Sequence, residues 1–391
     1  MRVALGQIAA PGGLVGGPFG SSLVNADYVD EGVPVIRGAN MGEGRYVGGP
    51  FVFVSPQKFQ RDLSRNSARP DDLVFTQRGT LGQVALVPRK PHDVYVVSQS
   101  QMRFRADRTL ADHRFVYYAA STENFLKQID DRAISTGVPH TNLGILSKLT
   151  ISLPPLPEQQ AIAEVLGALD DKIAANRTLA DRADELMDQT FRSQPAGEEV
   201  PLSTTADFIN GKAFTKGATG IGRVVVRIAE LNGGIGGSTV FSDALVDDKH
   251  VARPGDILFA WSGSLTLHRW FRDEAIVNQH IFKVVPRGSR PAWLVYELLR
   301  QEMPDFKAIA ADKATTMGHI QRHHLDIPVS VPREETVAKL DPLMSALWVT
   351  VVNAERESLT LGATRDALLP QLMSGKLRVR DAEKLASEAG A

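Results

Sequence analysis

From Leu153 to Ser193 the chain reads LPPLPEQQAIAEVLGALDDKIAANRTLADRADELMDQTFRS, with no proline after Pro157 and, apart from Gly167, no helix breaker. Such a run predicts one helix, and ~36 residues of helix span ~54 Å, more than a small domain is wide. Stepping alternately by four and three from Ile162 meets Leu166, Leu169, Ile173, Asn176, Ala180, Ala183, Met187 and Thr190. A 3.5-residue period is a coiled-coil seam, narrower than the face of a core helix. The pattern returns near the C-terminus from Val337, through Leu340, Met344, Leu347, Val351, Ala354, Ser358, Leu361, Arg365, Leu368 and Leu372. A lone helix of this length has nowhere to bury its stripe. Two seams therefore predict two helices packed on each other, antiparallel because each leads away from a globule, rather than each docked on its own domain. Asn176 is the expected register device, at some cost in stability. Ala180 and Ala183 permit close approach, and Pro342 either kinks the second helix or sits in its first turn behind an Asp341 cap.

Outside the two helices the chain repeats itself. RPDDLVFTQRGTLG at Arg69 returns as RPGDILFAWSGSL at Arg253, 184 positions later. VIRGAN at Val35 answers VVRIAELN at Val225, VVSQSQMRF at Val96 answers IVNQHIFKV at Ile276, and the segment around His140 answers that around His319. Four matches in the same order are not coincidence. Each copy mixes short β-rich runs around glycine turns with stretches of helical spacing, and each closes on a β-like run and proline, LTISLPP or IPVSVP. The predicted order is globule 1–155, helix 156–194, globule 195–333, helix 334–378 and a tail 379–391, in the mixed α/β (α+β) class.

Charge follows the same division. Residues 1–155 carry 17 basic against 13 acidic side chains, and 195–333 carry 16 against 15. The helical stretches 156–194 and 334–391 carry 4 against 8 and 7 against 9. Mildly basic globules joined by acidic rods suit a phosphate-binding surface, which needs local rather than overall positive potential. The chain has no cysteine, which excludes disulfides and thiolate metal sites and points to a reducing cytoplasm. No apolar run approaches the ~20 residues of a bilayer span, and MRVALGQIAAPGG, broken by Gln7 and glycines, predicts no signal peptide.

Motifs for chemistry are missing. LPPL at Leu153 lacks the Asn or Asp and the aromatic of a DNA-methyltransferase site. RPDDLVFTQRG has no following Asp/Glu-x-Lys of a nuclease, and its second copy replaces Asp71 with Gly255; a turn before a strand is the better reading. GGIGG at Gly233 reads as a loop, and His323–His324 lacks metal-ligand spacing.

LPPLPEQQAIAEVLGALDDKI resembles the central conserved region of specificity subunits of type I restriction-modification systems, and ALLPQLMSGKLRV, Ala367–Val379, resembles the end of their distal conserved region. The half-repeats resemble their paired target-recognition domains. VPREETVAKL keeps Pro332 and Glu335 but departs from the pattern in lacking the Glu-Gln pair. The resemblance implies a non-catalytic DNA reader without cofactor: two target-recognition domains, separated by an antiparallel two-helix coiled coil, each reading half of a bipartite asymmetric site in double-stranded DNA. It also implies two modification subunits, which bind S-adenosylmethionine and methylate adenine, and restriction/motor subunits that use ATP and Mg. An alternative from the residues alone is a coiled-coil scaffold whose globules bind protein.

Side chains that donate to phosphates or read base edges give the candidate DNA contacts. In the first globule these are Arg37, Asn40, Arg45, Gln77, Arg78, Thr80, Thr136 and His140. In the second they are Arg227, Asn232, Trp261, Ser262, His268, Arg269, Lys313, Thr315, Thr316 and His319.

Overall fold

The computed structural model describes residues 1–42, 44–134, 138–312 and 318–391. Contacts divide it into two units, Met1–Ala174 with Leu359–Ala391, and Ala175–Ser358. The helices are thus not bodies apart from the globules: each is shared between units.

In the first unit an antiparallel four-stranded sheet runs in the order Ala9–Gly16, Gln101–Ala106, Leu73–Thr76, Val84–Leu86. A second sheet orders Tyr28–Val29, Val52–Val54, Val33–Ile36, Tyr95–Val97, Ser67–Ala68, with Val35 beside Val96 in parallel. Arg2–Ala4 pairs with Thr150–Ser152 and closes the globule. The second unit repeats this plan. Its four-stranded sheet orders Ala206–Asn210, Ile281–Pro286, Ile257–Ala260, Thr266–Arg269. Its other sheet orders Val240–Ser242, Arg223–Val226, Ala275–Val277, Val251–Ala252, with Val225 beside Ile276 in parallel. Glu198–Pro201 and Pro328–Val331 make the closing pair. The repeated segments of the sequence are hydrogen-bonded partners in both halves.

The repeated RPDD/RPGD motif is a turn. Asp72 and Asp256 each accept a bond from the Arg two residues before the turn's apex (Arg69 N, 2.8 Å; Arg253 N, 2.7 Å). The residue before each has positive φ, 72° at Asp71 and 93° at Gly255. Glycine takes that conformation freely; Asp71 is held in it by Arg89, Arg108 and His113 at 3.2, 3.0 and 3.3 Å.

The central helix is Leu156–Arg192 and the distal helix Glu334–Met373. At its start Gln159 is buried; its side chain accepts from Asp112 N (3.0 Å) and donates to the carbonyls of Leu110 (3.1 Å) and Pro154 (2.9 Å). In the first unit Ile162, Leu166, Leu169 and Ile173 join Leu361, Leu368 and Leu372 in one core with Phe115, Tyr118 and Phe125 of the globule. Ala163 and Val165 are buried as well. A seam alone does not describe this segment: it docks on its own globule on one face and on the distal helix on the other. Arg365, which interrupts the seam in sequence, pairs with Asp170 at 2.7 Å.

In the second unit Met187 and Phe191 pack with Met344, Trp348 and Val352, together with Trp293 and Leu298 of the second globule; Leu340 and Leu347 are half-buried against them. Phe191, not Thr190, ends the seam. Nearer the middle of the helices only Ala180, Ala183, Val351 and Ala354, with Leu347, meet, and Asn176 Nδ2 donates to Glu357 Oε2 at 2.7 Å. Within this unit Asn176 lies beside Glu357 and Met187 packs with Met344, so numbers rise on one helix as they fall on the other. The pairing is antiparallel. The distal helix neither starts nor stops at Pro342. Asp341 accepts instead from Trp293 Nε1 (2.7 Å) and Ser345 Oγ (2.8 Å). Pro342 is exposed, so water can reach the Ala338 carbonyl that loses its helical donor. The stretch after the distal helix is no loose tail: Val379–Glu388 is a helix whose Ala382 and Ala386 are buried in the first unit's core.

Candidate nucleic-acid interface

Four chain segments converge at one end of each four-stranded sheet. In the first unit the strand ending at Thr76 continues into Gln77–Gly79. The amides of Gln77 and Arg78 donate to the Ser100 carbonyl at 2.7 and 3.3 Å. Thr141 N donates to the Gln77 carbonyl at 2.9 Å, and Arg78 bridges to His140 as an isolated antiparallel pair. The strand Ala9–Gly16 ends against the same place: a Cβ on Gly16 would lie 3.9 Å from Gln77 Oε1, and one on Gly17 would strike the Ser98 carbonyl at 1.9 Å. In the second unit Trp261 N donates to the His280 carbonyl (3.2 Å), Ile320 N to the Trp261 carbonyl (3.0 Å), and Ser262 bridges to His319. A Cβ on Gly211 would strike the Asn278 carbonyl at 2.1 Å. The backbone frame is the same; only the side chains on it differ.

On the first frame Arg78 and Thr80 are exposed, while Gln77 and His140 are half-buried. Arg78 makes no ion pair among the described residues. On the second, Trp261 is half-buried, donates from Nε1 to Asn210 Oδ1 (2.9 Å) and lies tilted at 52° against His280, ring centroids 5.6 Å apart. Ser262 is buried in the bridge and His319 is half-buried. Asn232 is exposed in the short helix Ile228–Gly233, and Arg37 is half-buried with its guanidinium 6.0 Å from the Tyr28 ring. Thr136, Lys313, Thr315 and Thr316 lie outside the described residues. Lys212, Gln279 and His280 belong to the second frame and were missed in sequence. Gly211 and its counterpart Gly17 were the available signal, because each marks a backbone–backbone approach.

Five of the expected contacts are turned inward. Asn40 is buried: its Oδ1 accepts from Arg37 N (3.0 Å) and its Nδ2 donates to the carbonyls of Gly48 (3.0 Å) and Pro50 (3.1 Å). Arg227 binds Glu230 in the equivalent turn and donates to the Ser238 carbonyl at 2.7 Å. Arg45 runs to the central helix, where it donates to Tyr118 Oη and the Gly167 carbonyl (both 3.3 Å) and pairs with Asp171. Burial alone would lower its pKa, but the hydrogen bond with Tyr118 and the charge of Asp171 win and raise it. A Cβ on Gly167 would sit 3.0 Å from Arg45 Nη1, which explains the one glycine in the helix. Arg269, its side chain 6% exposed, pairs with Asp184 at 2.9 Å and lies 4.1 Å from the Trp348 ring and 4.8 Å from that of Tyr296. His268 lines the same small cavity, and burial lowers its pKa, so it is neutral at pH 7. Both occupy the end of Thr266–Arg269 remote from the Trp261 turn, since Thr266 pairs with Ala260 and Arg269 with Ile257. Arg45 and Arg269 fasten helices to globules.

Comparison with known proteins agrees with this architecture. Residues 25–183 match the family model of the type I restriction modification DNA specificity domain. The type I restriction enzyme MjaVIII specificity subunit of Methanocaldococcus jannaschii is 24% identical over 155 residues, 39% of this chain. The match spans only 36% of that protein's length. The crystal structure of the type I restriction-modification S subunit from M. genitalium superposes with a TM-score of 0.61 at 17% identity, covering 95% of both chains. The HsdS subunit from Thermoanaerobacter tengcongensis matches at 18% identity over 96% of this chain and 97% of its own, with a TM-score of 0.39 that is too low to bear on the fold. The family model covers most of the first globule and of the central helix, and among the described residues the second half repeats the first half's sheets except for the edge strand Tyr28–Val29. Residues 25–183 thus resemble a type I restriction modification DNA specificity domain, and the chain shares the fold of the M. genitalium S subunit.

Proposed function

We propose that the chain is the sequence-specific, non-catalytic DNA-reading subunit of a type I restriction-modification complex. Each unit reads one half of a bipartite asymmetric site in double-stranded DNA with the side chains on the frame at the end of its four-stranded sheet. The observation that carries this reading is the duplicated frame bearing different side chains, Gln77, Arg78 and Thr80 in one copy, Trp261 and Lys212 in the other. One fold presented twice with different donors suits two different half-sites, since phosphate contacts position and base contacts specify. Two modification subunits, bringing S-adenosylmethionine, would dock on the chain; restriction subunits using ATP and Mg would join them in a restricting complex. Among the described residues no helix is long and apolar enough to cross a membrane, and a cytoplasmic setting beside the host DNA fits this role. A protein-binding scaffold is the weaker reading, because it gives no reason for two equivalent frames that differ in their donors.

The central and distal helices, in this reading, set the gap between half-sites. Inserting four residues after Ala180 adds ~6 Å of helix, against an advance of ~3.4 Å per base pair. Methylome sequencing of a host expressing the variant with its modification subunit is expected to show the same half-sites and a spacer longer by one or two base pairs. An unchanged spacer would refute the ruler. No methylated bipartite motif with the native chain would refute the function.

A further inference from the structure

Phe19 is 84% exposed. A single exposed apolar residue is ordinary on a protein surface, but the backbone that carries this one is fixed on both sides. Gly17 N donates to the Gln101 carbonyl at 3.0 Å, and Asn66 Nδ2 to the Gly16 carbonyl at 2.8 Å. Gly17 packs on Ser98 too closely for any side chain, and Pro18 behind it is buried with its φ locked. Beyond Phe19, Gly20 turns at φ 56°, and Gln99 Nε2 clamps the carbonyls of Gly20 (2.7 Å) and Leu23 (3.2 Å). Ser22 N returns to the Phe19 carbonyl at 3.2 Å. A ring held out in water on a pinned loop forgoes the burial it would gain in the core and loses little freedom on binding.

The loop is part of the first frame. Gly16 stands beside Gln77 Oε1, and the Ser98–Gln101 turn that clamps Phe19 also accepts the Gln77 and Arg78 amides through Ser100. The second unit makes the opposite choice. After its matching Gly211 it places Lys212, exposed, and its next aromatic, Phe214, lies half-buried against His250, centroids 5.6 Å apart. One frame thus presents a ring, and the other a cation.

We propose that Phe19 is a stacking wedge, entering the duplex at a base step beside the half-site that Gln77 and Arg78 read, while Lys212 holds a phosphate at the other half-site. The inference rests on the DNA-reading function. Apolar side chains that enter base steps unstack them locally, and aromatic–base stacking tolerates any sequence because every base has a π-face. Phe19 therefore adds affinity and distortion, not base choice.

The test uses the full chain assembled with its modification subunits and the duplex that its own methylome defines. Phe19→Ala is expected to weaken binding roughly tenfold without altering the preferred half-site bases. With the native chain, 2-aminopurine placed in turn at each step should change its fluorescence at one step near the first half-site; that signal should vanish in Phe19→Ala and return in Phe19→Trp. Unchanged affinity and an unchanged 2-aminopurine signal in Phe19→Ala, or loss only of modification-subunit association, would overturn the proposal. If the native complex shows no preference for any duplex, the DNA-reading function itself fails, and that outcome is distinct. Exposure of Phe19 makes a folding defect unexpected; matching thermal melts of the variant and native chains check this.

Discussion

The two units use one frame to do two jobs, and the difference lies in how each ties its globule to the helices. In the first, Arg45 reaches Asp171 and the Gly167 carbonyl, and Tyr118 donates to Asp170 at 2.6 Å. In the second, Arg269 reaches Asp184 between two aromatic rings. The position of Tyr118 falls to Glu297, at the same 179-residue offset that relates His140 to His319. Tyr118 is neutral, its pKa pushed far up by burial. Glu297 is fully buried, its Oε2 without a partner and its Oε1 3.3 Å from Arg300. Burial pushes its pKa up to about 7. Equivalent joints therefore rest on a neutral phenol in one unit and on a titrating carboxyl in the other.

Arg269→Ala should have the largest effect. It removes the guanidinium from both rings and leaves Asp184 with Arg300 as its partner at 3.1 Å. Losing one member of a largely buried pair and its aromatic contacts should cost about 2–4 kcal/mol. Hydrogen exchange should rise across Ala175–Ser358 and stay unchanged around Phe115 and Tyr118; an equal rise in both units would show that the joints are not separate.

Glu297→Gln should act less and only in one pH range. The folded pKa of Glu297 lies above its unfolded value of 4.5. Its favourable contribution is therefore complete below about pH 4.5 and is lost as pH rises through about 7. The variant should match the native chain near pH 4.5 and exceed it by about 1–2 kcal/mol above pH 7, in urea unfolding followed through the second unit. A uniform gain at every pH would contradict this, as would an equal pH dependence in the first unit.

Gly167→Ala is the smallest change. Alanine favours helix by about 1 kcal/mol, but its methyl displaces Arg45 Nη1 and weakens a charged hydrogen bond worth about 1.5–3 kcal/mol when intact. A small net loss is expected, within about 1 kcal/mol of zero, and Arg45→Ala should abolish it in a double-mutant cycle. A loss that persists without Arg45 would assign Gly167 some other role.

Much of this was legible in the sequence. The 3.5-residue seams pointed to the paired helices, because a period is a local property, and the ordered matches around Arg69 and Arg253 pointed to the repeated sheets. The direction of single arginines was not legible. Arg45, Arg78 and Arg269 all sit in loop or strand-end stretches of similar polarity, and only the fold reveals that Asp171 waits 126 residues from Arg45 while Arg78 faces outward. Docking of each helix on its own globule was missed for the same reason: the extra buried positions Gln159, Ala163 and Val165 widen the stripe by residues that the seam does not count. Phe19 carried no signal, because aromatic type says nothing of orientation.

The central claim is that one frame, presented twice, reads two half-sites independently. Methylome sequencing of hosts expressing Gln77→Ala/Arg78→Ala and, separately, Trp261→Ala with the same modification subunit tests it most directly. The first variant should relax or abolish one half of the methylated motif with the other unchanged, at about 1–3 kcal/mol per lost base contact, and the second variant should do the reverse. Loss of both halves together in either variant, or a native motif in both, would contradict it.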